Sequence, residues 1–392
     1  MKNNVVSEDY RAKRNCTGCG SCASCALICP RYSIEIRLNR EGFYQPYVNA
    51  SICVECGLCI QVCIKYEEGE TLRNPFWKTN PIFSYKNRDR QILKQSSSGG
   101  FIDCLLQKGI EFGYDVCGCI YDYTQHRVKH VVTSNKNDLY RIRGSKYLQS
   151  FTVDAFSSFQ KNQKCIVVGT PCQIFGLSKY LELRKIRNNF ILIDLFCAGV
   201  PSYILWDKYL RYIDDKYKLG TIQEVNFRSK VRSSWHKYGI LIRGAQNIYY
   251  QDDAAHCDLF YRLFLSDACK NKCCNSENCF LRKNSYADLR VGDFWGNKYR
   301  TDEDGVSLVV IKRDRCKEII DLIPDLVPER EISIPDLNPP HPQRSVMMEY
   351  LRSSYKLEPA LKIIQQKSFI SSLKKCLVFI KRIISYAYIG NK

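Results

Sequence analysis

Cys53-Val-Glu-Cys56-Gly-Leu-Cys59-Ile-Gln-Val-Cys63 decides how this 392-residue chain is read. Its spacing, C-x2-C-x2-C-x3-C, lets one tight loop aim three thiolates at three corners of an iron–sulfur cubane. A fourth thiolate, at a helix start, points toward a neighbouring cubane. Zinc prefers two well-separated ligand pairs around a tetrahedron, which four cysteines in eleven residues do not offer. Core packing does not require such a run. The motif predicts an iron–sulfur loop.

Upstream lies a second run, Cys16, Cys19, Cys22, Cys25 and Cys29, followed by Pro30. It holds one cysteine too many, so two registers stand open. Cys19, Cys22, Cys25 and Cys29 each precede a cysteine of the other run by 34 residues, an internal repeat that favours the strict spacing. The alternative register uses Cys16-Thr-Gly-Cys19-Gly-Ser-Cys22, with glycine after its second cysteine as in Cys56-Gly57. Glycine there lets the backbone approach a cluster. In a two-cluster ferredoxin the fourth cysteine serves the other cubane. One cluster would use three cysteines of the first run with Cys63, and the other Cys53, Cys56, Cys59 and Cys29. Between the runs, Ser33–Leu38 alternates as a strand, and Gly42-Phe43-Tyr44 before Pro46 turns into a second. Residues 1–70 are thus expected to form a dicluster 4Fe-4S ferredoxin-type domain.

Composition places the remainder among globular proteins: 45% hydrophobic and 25% charged, with 22 cysteines and a net charge of +19. The first ten residues carry no apolar run, so no signal peptide is expected. Ile191–Val200 holds a charge and is far shorter than the ~20 residues of a membrane span. A cytoplasmic location is expected, where thiols stay reduced or bind metal.

The body divides on the sequence into residues 71–150 and 151–350, with a basic amphipathic tail over 351–392. Residues 70–95, rich in Asn, Pro and Arg, read as a linker. Ser96–Gly100 precede a periodic helix, Phe101–Glu111. Such a loop offers backbone N–H groups to an anion such as a flavin phosphate, or serves as a simple helix cap. Asp115–Tyr121 and Val128–Thr133 read as strands. Lys164–Val168 is a buried strand leading through Gly169-Thr170-Pro171-Cys172 into helix Gln173–Leu183. Phe190–Phe196 leads likewise through Cys197–Pro201 into helix Ser202–Ile213. Both loops are expected at the carboxyl ends of neighbouring parallel strands, where open α/β sheets bind ligands.

From about 222 the pattern becomes antiparallel, with Tyr238–Arg243 and Asn247–Tyr250 flanking a turn. Cys257, Cys269, Cys273, Cys274 and Cys279 follow. Cys274-x4-Cys279 is no standard cluster loop, yet it could add two thiolates to Cys172 and Cys197. The other reading is reduced structural cysteines. Gly292-Asp-Phe-Trp-Gly296 reads as a structural turn. Lys146, and Arg228-Ser-Lys230 before Trp235, meet an anionic cofactor or form a solvated basic face. Ser371–Tyr388, with Lys374, Lys375, Lys381 and Arg382, is a helix packed on the body or a peripheral contact with an anionic membrane or acidic partner. No nucleic-acid module is present in the sequence, so no nucleic-acid partner is expected.

Taken together, these motifs resemble the beta subunits of coenzyme F420 hydrogenases and dehydrogenases. The carriers are the dicluster module, Ser97-Ser98-Gly99-Gly100, Gly144-Ser-Lys146-Tyr147, Val168-Gly-Thr-Pro-Cys172-Gln173, Phe196-Cys197-Ala-Gly-Val-Pro-Ser202, Asn226-Phe-Arg228-Ser-Lys230, Gly292-Asp-Phe-Trp-Gly296 and Asp304-Gly-Val-Ser-Leu308. They follow in family order from residue 15 to about 312. The resemblance implies an α+β or α/β architecture, a ferredoxin module ahead of a flavin-binding body with an antiparallel subregion. It implies two 4Fe-4S clusters, a flavin that is usually FAD, and a redox partner such as ferredoxin or the deazaflavin coenzyme itself. Ser97, Ser98, Gly99, Gly100, Lys146, Gly169, Thr170 and Pro171 would border the flavin. Cys172, Cys197 and Cys274, with Cys273 or Cys279, match family cysteines suspected of holding a further cluster. Two departures stand out: Ala198 replaces a histidine common in the family, and Cys274 and Cys279 are farther apart than usual.

The function expected is an iron–sulfur flavoprotein oxidoreductase that passes electrons between clusters and a two-electron donor or acceptor. The alternative is a non-catalytic electron-transfer subunit. The sequence designates no catalytic residue and no substrate.

Overall fold

The computed structural model describes residues 22–66, 75–274, 279–330, 344–354 and 356–364. Cys16, Cys19 and the Ser371–Tyr388 stretch lie outside the described residues.

Short apolar runs without polar alternation make strands buried on both faces. Cys165–Val168 (β7) and Phe190–Leu195 (β8) are such runs, and they pair in parallel at the centre of a nine-stranded mixed sheet. Asp115–Asp122 (β4) lies parallel to β7 on one side, and Leu289–Asp293 (β12) lies parallel to β8 on the other. Arg127–Thr133 (β5) runs antiparallel to β4, and Ser150–Phe151 (β6) closes that edge. Toward the opposite edge come Ser307–Ile311 (β13), Ile82–Tyr85 (β3) and Val327–Glu329 (β14), all antiparallel. The fold is mixed α/β, as expected, with the two cysteine loops following neighbouring parallel strands.

The elements expected from periodicity are present with small shifts. Helix Phe101–Glu111 has the bounds predicted for it. The helix after β7 spans Pro171–Leu183. Proline suits its first position because that N–H has no helical partner. Gln173 Oε1 accepts the Thr170 N–H at 3.0 Å, half of a capping box. The helix after β8 runs Tyr203–Tyr217, one turn longer than expected, with Ser202 as its N-cap accepting from the Ile204 N–H at 3.0 Å.

Ile222–Ser229 (β9), Gly239–Gly244 (β10) and Ile248–Gln251 (β11) form the expected antiparallel sheet. Its apolar side joins Trp206, Tyr209, Phe260 and Phe264 in the largest core cluster. Asp258, buried there, accepts from the hydroxyls of Tyr209 at 2.7 Å and Tyr249 at 3.0 Å.

One segment differs from its expectation. Within the predicted linker, Ile82–Tyr85 is a strand between β13 and β14, and Arg90–Gln95 is a helix capped by Asp89. A four-residue strand flanked by Asn and Pro gives too short a pattern to reveal itself. Its place comes from pairing with β13.

The front of the chain carries its own hairpin, Ile34–Leu38 (β1) with Tyr44–Val48 (β2). It is fastened to the body by polar ties. The Tyr44 N–H donates to Gln149 Oε1 at 2.7 Å, the Tyr203 N–H to the Gly42 carbonyl at 3.0 Å, and Arg344 pairs with Glu41 at 2.8 Å.

Candidate functional site

The two cysteine runs fold alike where both are described. Ala23 and Gly57, 34 residues apart, each take a left-handed φ, 61° and 76°, at the N-cap of a four-residue helix, Ser24–Leu27 and Leu58–Gln61. The turns share two backbone bonds at that offset. The Ala26 N–H donates to Ala23 O at 2.9 Å as Ile60 does to Gly57 O at 3.0 Å, and Cys29 donates to Ala26 O at 3.3 Å as Cys63 does to Ile60 O at 3.1 Å. Left-handed backbone is natural for Gly57 and costs Ala23 about 1 kcal/mol. This correspondence has the offset of the strict register, with Cys22, Cys25 and Cys29 answering Cys56, Cys59 and Cys63.

Cys29, Cys53, Cys56 and Cys59 line one pocket together with Pro30, Arg31, Ser33 and Glu55. These are the four cysteines that ferredoxin logic assigns to one cubane. Cys59 is buried and Cys56 exposed. Around the mouth, Tyr32 is 86%, Val54 57% and Ile52 43% exposed. Burial pushes the Cys29 thiol up, but hydrogen bonds from the Ser33 side chain and N–H outweigh it and leave the thiol below its usual value.

A second group of thiols lies in the body. Cys172 sits in the first turn of the helix after β7 and Cys197 on the loop after β8. Cys274 ends the short turn Lys272–Cys274, and Cys279 precedes Phe280–Arg282. Three regions far apart in sequence thus meet, the last of them supplying both Cys274 and Cys279. Burial raises the Cys172 thiol, and the facing thiols of Cys197, Cys274 and Cys279 raise it further, against a hydrogen bond from Thr170. Cys197 is pushed up to about 12 by burial and then by Cys274. Cys274 moves the other way. The adjacent Cys273 thiol, 3.9 Å away, lowers it against burial, helped by Lys270 and Arg282. Arg282 also donates to the Cys274 carbonyl at 2.6 Å and the Ala198 carbonyl at 3.3 Å, tying two of the loops together. Gly199, at φ 101°, lets the Cys197 loop pass this turn, since a Cβ there would lie 2.8 Å from Cys274 Cβ.

Among the described residues no three His, Cys, Asp or Glu side chains close around a point as the ligands of a single ion do. The chemistry of the donors, all of them thiols, is that of a cubane, whose irons sit at its corners and whose ligands point outward.

Beneath the body thiols lies a buried ion pair. Arg290 of β12 donates through Nε to Asp194 Oδ1 of β8 at 2.7 Å and through a second nitrogen to Oδ2 at 2.6 Å. Its remaining bonds go to the carbonyls of Leu281, Arg282 and Asn284, which hold the chain just after Cys279.

The residues expected at a flavin fall at separate places in the fold. Ser97 Oγ accepts the Ser145 N–H at 2.7 Å, and Ser98 Oγ donates to the Val306 carbonyl at 2.8 Å. Gly99 packs so tightly on the Tyr85 carbonyl and the Ser307 N–H that a side chain would not fit. Gly100 caps helix Phe101–Glu111 at φ 79°. Gly169, Thr170 and Pro171 instead adjoin Cys172, with Thr170 Oγ1 3.2 Å from its sulfur. Lys146 does not point outward. Its ammonium donates to the carbonyls of Arg141, Ile142 and Arg143 at 2.8, 2.7 and 2.9 Å, and burial pushes it down to about 8. Lys230 behaves alike, donating to Leu93 O at 2.8 Å and Ser98 O at 3.1 Å, and burial pushes it down to about 8.

Sequence reasoning missed what Gly292-Asp-Phe-Trp-Gly296 and the Asn226 motif build together. Trp235 and Trp295 stack with centroids 4.9 Å apart and planes 9° apart. Arg228 lies 4.3 Å over the Tyr238 ring and pairs with Asp293, which also accepts from Trp235 Nε1 at 3.4 Å. Arg228 Nε and His236 Nε2 are buried there without a hydrogen-bond partner. The available signal lies in the paired motifs, each an aromatic and a charge at a strand end.

Residues 162–328 match the family model for the C terminus of the beta subunit in coenzyme F420 hydrogenase/dehydrogenase. The chain is 24% identical over 315 residues to the coenzyme F420-dependent sulfite reductase of Methanocaldococcus jannaschii, covering 77% of this chain and 45% of that protein. It is 24% identical over 139 residues to the coenzyme F420 hydrogenase subunit beta of Methanococcus voltae, covering 33% of this chain and 49% of that protein. The chain thus spans about half the length of the curated relatives it matches. Among solved structures, it aligns with a chain of the xenon-derivatised F420-reducing [NiFe] hydrogenase complex of Methanosarcina barkeri at TM-score 0.42 and 16% identity, covering 76% of this chain and 94% of that one. Among the described residues no helix is long and apolar enough to cross a membrane.

Proposed function

Because the chain belongs, through residues 162–328, to the coenzyme F420 hydrogenase/dehydrogenase beta-subunit family, we propose that it is an iron–sulfur flavoprotein that relays electrons between a redox partner and a two-electron substrate. Residues 1–70 are the ferredoxin module and the rest is the flavin-bearing body. The family supports an oxidoreductase role in general. The observation that carries the finer reading is the meeting of Cys172, Cys197, Cys274 and Cys279 from three separate regions of the chain, behind a ferredoxin-spaced front.

In the front, Cys29, Cys53, Cys56 and Cys59 would hold one cubane, and Cys63 with cysteines of the first run the other. In the body, the four thiols would hold a third. Neutral thiols pack as small apolar groups, whereas thiolates drawn together there need a metal charge to offset their mutual repulsion and lost hydration. A flavin, when bound, exchanges a hydride and single electrons, which joins two-electron chemistry to one-electron clusters. Ser97 to Gly100 would cradle its phosphate with backbone N–H groups. Trp235 and the half-open Trp295 offer flat apolar faces, and the buried Arg228 beside them keeps an unused N–H. The exposed front pocket would be the docking face for ferredoxin or another electron donor. The +19 charge draws acidic partners, with rates that fall as salt rises.

Protein purified without oxygen and replete in iron should be brown, contain iron, sulfide and flavin, and bleach with a low-potential reductant. Iron-loaded protein that releases no flavin on denaturation would contradict the flavoprotein reading. One observation favours the alternative electron-transfer subunit: Lys146 and Lys230 spend their ammonium groups on backbone carbonyls rather than on an anion site. Turnover of deazaflavin with a dye donor separates the two, since the subunit alone stays silent while its clusters reduce.

A further inference from the structure

Helix Pro171–Leu183 carries Cys172 in its first turn and a glycine, Gly176, one turn later on the same face. Glycine inside a helix costs about 1 kcal/mol relative to alanine, so its place here calls for a reason. The reason lies across the contact. A Cβ on Gly176 would stand 2.5 Å from Cys22 Sγ, 2.7 Å from Ser24 Oγ and 2.8 Å from Cys22 Cβ. Cys22 is a ligand candidate in both registers of the first run, and it is 7% exposed. Its backbone is pinned from the body side, where Thr152 Oγ1 donates to the Cys22 carbonyl at 3.2 Å. The Cys22 sulfur therefore rests about 6 Å along the helix axis from the turn that bears Cys172, at 1.5 Å per residue.

We propose that Gly176 is the positioning residue for electron transfer between the front module and the body, its missing side chain bringing the Cys22 thiolate against the helix that bears Cys172. This rests on the cluster assignments proposed above. The step is a single electron: the group bonded to Cys22 is oxidised by one, the group bonded to Cys172 is reduced by one, and no bond or proton moves. The electron comes from the reduced redox partner docked at the front pocket.

The test is electron paramagnetic resonance of the fully reduced, iron-loaded protein, with Gly176→Ala, Cys197→Ser and Gly109→Ala. Gly109 is a second helical glycine with no room for a Cβ, against Ile166 and away from every thiol of the two sites. The wild type should show spin–spin broadening between front and body signals. Cys197→Ser should abolish that component. Gly176→Ala should weaken it and slow the filling of the body signal after rapid mixing with reductant, at unchanged iron content. Gly109→Ala should change stability alone. A Gly176→Ala chain too unstable to load leaves the wild-type comparison with Cys197→Ser decisive. Full iron content with no broadening removed by Cys197→Ser overturns the contact, as does a Gly176→Ala spectrum identical to wild type. A wild type without body iron overturns the cluster reading itself.

Discussion

The front thiols and the body thiols answer the same chemical demand in opposite ways. At the front, Cys53, Cys56 and Cys59 of one run and Cys29 of the other line a pocket with Cys56 at the surface, and two turns repeat at an offset of 34 residues. In the body, Cys172, Cys197, Cys274 and Cys279 come from three distant regions of the chain and are held by strand order, by Arg282 and by the Asp194–Arg290 pair. The front is a local device that carries its geometry in its spacing. The body site exists only once the sheet has formed. The body thiols are all half-buried, whereas the front opens at the exposed Cys56, and the open site is the one that suits exchange with a partner.

Iron content tests that contrast with the largest effect. Cys59→Ser and Cys197→Ser should each remove about four iron atoms per chain, one cubane, and the double variant about eight. If Cys197→Ser empties the front as well, the two sites are not independent.

Next in size is the support beneath the body site. Arg290→Met strands the Asp194 carboxylate in a site where the pair is 0% and 1% exposed. Breaking a buried pair costs about 3–5 kcal/mol, read as a lower denaturation midpoint. Adding Asp194→Leu should recover much of the loss, because no unpaired charge then remains. Body iron should fall in the single variant while front iron persists.

His130 offers a pH test on the same side of the molecule. Its Nε2 donates to the Val168 carbonyl at 2.9 Å and its Nδ1 accepts from Ser150 at 2.9 Å, so the neutral ring is what this site holds. Burial lowers it from 6.5 to about 4. The unfolded chain therefore takes the proton first. Stability is complete above pH 6.5 and declines as pH falls toward 4, by on the order of 3 kcal/mol. His130→Gln should flatten that decline in acid denaturation curves.

The smallest effect concerns the Cys172 loop. Thr170→Ala removes part of the cap of helix Pro171–Leu183 and should cost about 1 kcal/mol in thermal unfolding. The front should be indifferent to it.

The parts legible in the sequence are those whose cause is local. Helix Phe101–Glu111, the buried strands at 165 and 190 and the front loops each declare themselves within a dozen residues, through period, turn chemistry or spacing. Ile82–Tyr85 does not, because a short strand is created by the partner it pairs with. Lys146 and Lys230 read in the sequence as cofactor contacts or surface charges, yet both staple backbone carbonyls, a role that depends on which carbonyls the fold leaves unpaired. The Trp235–Trp295 stack joins residues 60 apart and has no single-segment signature. Loop position alone suggests that Cys274 and Cys279 could join Cys172 and Cys197, and the fold does bring these four together.

Counting iron and acid-labile sulfide per chain in anaerobic, fully reconstituted protein addresses the body site head-on. Three cubanes predict about twelve of each. About eight, with the front intact, would reduce the body quartet to ordinary thiols and contradict the account.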